Sequence, residues 1–151
     1  MPPQSARLFV AAFALCCGAA SRALVQPVPD GMPTYAQFEQ TIQGYPYHAS
    51  GERAAKVRSG LAAMKRCIEK SKVQALLGVP DFSQLAFGPK GPGDKWLGSS
   101  WVYYLSKQSR LTNENDSSVT VYFDTNGLCH WVAPRHIDGA KEIGSVSEKC
   151  A

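Results

Sequence analysis

The sequence predicts an α+β fold, with two helices packed on one face of a three-stranded antiparallel meander. Three observations predict it. An apolar stripe of helical spacing is followed by a short capped helix ending in Gly78-Val79-Pro80. Three β-branched and aromatic runs then succeed one another. No strand–helix–strand alternation occurs anywhere, so a parallel sheet is not expected and the helices form one layer on the sheet. The 151 residues fit one ordinary domain and show no internal repeat.

The N-terminus reads as a targeting segment spanning residues 1–23. Arg7 is the only charge before the apolar run Leu8 to Leu15, and Gly18, Ala19, Ala20 and Ser21 follow it. A positive start, a short apolar middle and small residues beyond it make a secretory signal, with cleavage after Ala20 or Ala23. Retention as a membrane anchor, or lipid attachment at Cys16 or Cys17, are the other uses open to this segment. Its removal leaves fourteen cations against twelve acids. Export, with a periplasmic location, is therefore expected. Residues 24–33 hold Pro27, Pro29, Gly31 and Pro33 and form a linker into a single domain over 34–151.

A short helix follows the linker, because Thr34 and Gln37 have capping-box spacing and Tyr35, Phe38 and Ile42 share a face. The next helix is expected from about Glu52 to Glu69. Val57, Leu61, Met64 and Ile68 repeat at intervals of four, three and four. Gly60 inside it suggests a close approach by another backbone. The following helix takes Ser71 as cap, with Gln74 reaching back, and Val73, Leu76 and Leu77 as its apolar face. Gly78 supplies a left-handed stop and Pro80 forbids continuation.

The stretch from Phe87 to Asp94 is too rich in Gly and Pro to form an element. Trp101 to Leu105 is the first strand, and residues 106–118 are polar and read as a long turn. Val119 to Phe123 is the second strand, with Val119, Val121 and Phe123 on one side. Asp124 to Gly127 is a hairpin turn, and Leu128 to Val132 returns antiparallel. The tail from Pro134 is polar and reads as irregular.

Two segments carry a family resemblance. One is Ser71-Lys72-Val73-Gln74-Ala75-Leu76-Leu77-Gly78-Val79-Pro80-Asp81. The other is Val119-Thr120-Val121-Tyr122-Phe123-Asp124-Thr125-Asn126-Gly127-Leu128. Together, with Trp101 and Tyr103 between them, they resemble the SmpA/OmlA (BamE-like) domain family over about residues 52–132. That family shows a short capped helix ending in Leu-Gly-x-Pro, a Trp/Tyr strand, and a strand closing in Phe-Asp-x-x-Gly. The resemblance implies a small, non-enzymatic periplasmic domain. It would help assemble outer-membrane β-barrels by contacting another envelope protein and anionic lipid. The β-lactamase-inhibitor protein is built from similar units, so the same scaffold also implies an inhibitor or immunity-type protein that blocks an enzyme.

The residues themselves offer two surfaces and a staple. Trp101, Tyr103, Tyr104, Tyr122 and Trp131 all come from the sheet, and the subset turned from the helices would anchor a protein partner unless the tail folds over it. Between Glu52 and Lys72 lie seven cations and two acids. Lys65, Arg66, Lys70 and Lys72 are thus candidates for an anionic surface, against the plainer reading of a solvated face. Export leaves Cys67, Cys129 and Cys150, an odd number. Cys67 with Cys150 is the expected disulfide, since it would tie the tail to a helix, and Cys129 reads as a small buried hydrophobe.

Chemistry is not expected. His48, His130 and His136 include no pair at metal-binding helical spacing, and no cofactor site is predicted. Cys129 and His130 adjoin on a strand, where neighbours point to opposite faces. Asp81, Asp94, Asp116 and Asp124 fall in turns. The formal charge of +4 is mild, and no zinc-finger spacing, phosphate loop or RNA-binding motif occurs, so nucleic acid is not an expected partner.

Overall fold

The computed structural model describes residues 30–87, 96–148 and 150. The targeting segment, most of the linker and the Gly/Pro loop at 88–95 lie outside these residues. Among the described residues, no helix is long and apolar enough to cross a membrane.

The architecture corrects the expected two-helix, three-strand meander. Among the described residues there are three helices and a six-stranded antiparallel sheet. In chain order these are α1 (Tyr35–Thr41), β1 (Tyr47–His48), α2 (Gly51–Ala63), α3 (Lys70–Leu77), β2 (Phe82–Phe87), β3 (Trp96–Lys107), β4 (Ser117–Phe123), β5 (Cys129–Arg135) and β6 (Ile143–Gly144). The sheet runs β1-β3-β4-β5-β6, and β2 pairs with β3 on the edge that β1 continues.

The added strands are made by pairing rather than by propensity. The sequence of β2, Phe-Ser-Gln-Leu-Ala-Phe, holds no β-branched residue, yet it pairs with β3 from Phe82 opposite Val102 to Phe87 opposite Trp96. Phe87 therefore closes a strand instead of opening a loop. β1 pairs farther along, with Tyr47 opposite Lys107. In the tail, Ile143 and Gly144 pair with Val132 and Trp131 and add β6.

Each sheet face carries a helical layer, and that is the second departure. Trp101, Tyr103, Val119, Val121, Phe123 and Val132 turn to α2 and α3, where Val57, Leu61, Val73 and Leu77 complete the main core. Phe38 of α1 packs on the opposite face against Phe82, Val102 and Tyr104. The α1 helix forms where its capping box predicts, with Thr34 and Gln37 reciprocally bonded. Its apolar stripe needs a surface, and β3 supplies one because its residues are apolar in both alternating registers.

The helix boundaries also shift. α2 ends at Ala63, and Met64 is extended at ψ 142°. Residues beyond it join the sheet: Cys67 N–H donates to the Cys129 carbonyl at 2.6 Å and Cys129 N–H to the Ile68 carbonyl at 2.9 Å. Those bonds outcompete two further helical turns. α3 then starts from Glu69, and Ser71 is inside it. Gly78 stops it at φ +87°, as the sequence predicts.

Gly60 is the contact point of the helix pair. A Cβ there would lie 2.4 Å from the Leu76 carbonyl oxygen. Gly60→Ala is expected to force α2 from α3 and to cost about 2 kcal/mol or more, measured as a lowered urea midpoint. A loss below about 0.5 kcal/mol would contradict this packing.

Cys67 and Cys150 are joined by a disulfide that spans 83 residues, with Cα atoms 5.4 Å apart. It fixes the tail beside α2, where Ile137, Ala140 and Ile143 pack on the main core. Loop-closure entropy assigns such a crosslink about 4.5 kcal/mol. Cys150→Ser should therefore melt well below the wild type, and a reductant should lower the wild type to the variant's Tm. Equal Tm values without reductant would count against the bond.

Candidate functional site

Open space lies between α2 and the tail, and also on the second sheet face. Antiparallel register lays its residues out in rungs. Tyr104, Ser118 and Arg135 form one rung, and Phe82, Val102, Thr120 and Ala133 the next. Gln84, Ser100, Tyr122 and Trp131 form the third. The short α1 covers Phe82, Val102 and Tyr104 and leaves the rest. Between α1, the loop before β4 and β5 lies a groove of about 460 Å³. At the far end, Tyr122 and Trp131 stack with ring centroids 4.2 Å apart and planes at 13°. Both are half-buried, and the Trp131 indole N–H is taken by Glu142. Burial raises the pKa of the Tyr122 phenol, which therefore stays neutral.

Of the five sheet aromatics, Trp101 and Tyr103 lie in the main core and Tyr104 lies under α1. Tyr122 and Trp131 alone of the five reach solvent. The tail's apolar residues Ile137, Ala140 and Ile143 pack on the other side of the sheet, and on this side the tail reaches Trp131 through Glu142.

At the groove's rim stands a cluster that sequence reading missed. The Lys107 side chain has no exposed surface, and its Nζ donates to the carbonyls of Ser109, Arg110 and Leu111. It lies 3.7 Å from Glu39 and within 6 Å of the rings of Tyr35, Tyr45 and Tyr104. Tyr35 and Tyr45 each donate to Glu39 Oε1, at 2.7 and 2.9 Å. Asp116, also buried, accepts from the backbone N–H of Gln108 and of Asn113. The expected polar turn is thus a braced loop over 108–116. At its crest Leu111 is 79% exposed. The only sequence signal was an isolated Lys at the end of an apolar strand; its aromatic partners are scattered over seventy positions.

The basic segment does not form one strip. Lys70 is bonded to Asp30, whose other oxygen accepts from the Trp101 indole at 3.1 Å. Arg66 pairs with Glu148, and Arg53 with Asp81. Asp81 in turn accepts the Tyr104 N–H at 2.6 Å, so this acid bridges α2 to β3 instead of only shaping a turn. Lys56, Arg58, Lys65 and Lys72 are exposed and form no ion pair among the described residues.

Catalytic geometry is sparse. His130 is buried in the β5 bulge and its Nδ1 donates to the Glu148 carbonyl at 3.0 Å. The Cys129 thiol is buried, and burial pushes its pKa up to about 11, which keeps it protonated and inert. Among the described residues no three His, Cys, Asp or Glu come together as metal ligands. Compared with protein-family models, curated proteins and solved structures, the chain matches none.

The Glu39 cluster gives a pH dependence. Burial pushes its carboxyl up, but the two tyrosine bonds and the charges of Lys107 and Arg110 outweigh burial and hold it below its ordinary 4.5. The unfolded chain then takes up this proton at higher pH than the folded one. Its stabilisation is present above pH 4.5 and is lost as pH falls below it. Glu39→Gln should be less stable than wild type at pH 7, with the gap closing on acidification. Urea midpoints across that range measure it, and a pH-independent gap would refute the assignment.

Proposed function

We propose that the protein is an exported, non-enzymatic envelope protein that binds a partner protein through the second sheet face, as an adaptor of the outer-membrane assembly type. The observation that carries this reading is the Tyr122–Trp131 stack beside an unfilled groove. Stacked, half-buried aromatics lose little side-chain entropy on binding and supply much of the contact energy of protein interfaces. The Cys67–Cys150 disulfide supports an oxidising compartment, in keeping with the signal-like N-terminus. The Leu-Gly-x-Pro and Phe-Asp-x-x-Gly segments supply the resemblance to SmpA/OmlA domains. Anionic lipid is an additional partner in this reading, through the exposed Lys65 and Lys72, since Arg66 and Lys70 are engaged by acids of the chain.

One observation favours a second reading, an inhibitor or immunity-type protein. The loop over 108–116 is held from within by Lys107 and Asp116 and presents Leu111 outward. A loop ordered before contact pays little entropy on insertion into an enzyme cleft.

A photocrosslinking side chain decides between the two. Placed at Ala133 in the native envelope, it should capture one envelope protein, and Trp131→Ala should abolish that capture. Capture from Leu111 and none from Ala133 would overturn the adaptor reading in favour of the inhibitor.

A further inference from the structure

The groove on the second face is asymmetric in its chemistry. One wall is aromatic, from Tyr35 and Phe82, and the floor is polar, from Ser118, Thr120 and Gln84. Arg135 is the only charged residue lining it. Arg135 is exposed and forms no ion pair among the described residues. Ser118 sits directly opposite it in the ladder, so their Cβ atoms are about 5 Å apart. The Ser118 residue is 8% exposed and lines the groove, yet its hydroxyl bonds to no described group. The Ser118 hydroxyl therefore opens onto the groove beside the Arg135 guanidinium, and the two donors together can hold an anion.

We propose that this recess takes a carboxylate of the partner polypeptide, bound by Arg135 and Ser118, with an adjacent apolar side chain against Phe82 and Tyr35. Charge balance selects the carboxylate over a phosphate. One guanidinium neutralises one negative charge, and no second cation lines the groove. A dianion would face net negative charge there. The volume agrees, because about 460 Å³ leaves room for a side chain beyond the acid, and Tyr35 of the aromatic wall belongs to α1.

The inference rests on the sheet-face reading of partner binding, and it can be tested without the partner. The full chain is titrated with N-acetylphenylalanine, with its amide and with phenyl phosphate, followed by backbone amide NMR shifts. The acid should perturb Ser118, Thr120 and Arg135 and bind about tenfold more tightly than the amide. Arg135→Gln, an exposed change that leaves the core untouched, should erase that preference. Ser118→Ala should weaken the acid about threefold. Equal binding of acid and amide, tighter binding of phenyl phosphate, or an unaltered preference in Arg135→Gln would overturn the proposal. Acid selectivity with no crosslink from Ala133 would refute the partner reading and keep the recess. A crosslink without acid selectivity would refute the recess alone.

Discussion

Strand β3 is apolar in both of its alternating registers. Trp101, Tyr103 and Leu105 face one way, and Val102 and Tyr104 face the other. Each large side chain left in water forfeits about 1.5–3 kcal/mol, so a single helical layer cannot satisfy this strand. The α2–α3 pair covers the wider face. The other needs a cover too, and the chain lays Phe38 of α1 across Tyr104 and Phe82, with ring centroids 5.6 and 6.0 Å away. Because α1 has only seven residues, the cover is partial. The groove and the half-buried aromatic stack exist because a long two-faced strand and its neighbours outrun a short helix.

What was legible follows from which forces are local. The capping box at Thr34, the stop at Gly78 and the turn at Asp124 to Gly127 depend on residues within a few positions, and the glycine at 60 announced a close approach without naming Leu76 as its neighbour. Each appeared as read. The disulfide partner of Cys67 was legible as well, by its logic of tying down a tail. β2, β6 and the end of α2 were not, because each is decided by a backbone partner distant in sequence. The second core was invisible for the same reason. A short helix announces its cap but not the face on which it lands.

The candidate site divides in the same way. Alternation put Tyr122 on the side away from α2 and α3, but nothing local revealed that Tyr104 on that side would be roofed. The charges were harder still. A run of cations counts as a surface only if acids elsewhere leave it alone, and here Asp30, Asp81 and Glu148 reach Lys70, Arg53 and Arg66 from the linker, the α3–β2 turn and the tail. Buried Lys107 is the sharpest case. Lysine is among the residues least often buried, and only the convergence of three carbonyls, Glu39 and three tyrosine rings makes this position tolerable.

That convergence also bears on how the two proposed binding modes relate. Tyr35 touches Lys107 through its ring, bonds Glu39 and the Arg110 carbonyl through its hydroxyl, and forms part of the groove wall. Thr112 of the braced loop lines the same groove. The aromatic face, the recess at Arg135 and the crest at Leu111 therefore share one set of rigid supports. A partner lying along β4 and β5 would meet the loop crest at one end and the Tyr122–Trp131 stack at the other. An adaptor and an inhibitor would then use one continuous surface, and they would differ in whether the sheet or the loop bears the central contact. A buried ion-pair node is a costly way to hold a loop that touches nothing. Here the node stands at the rim of the groove, and Thr112 of the loop it holds lines that groove.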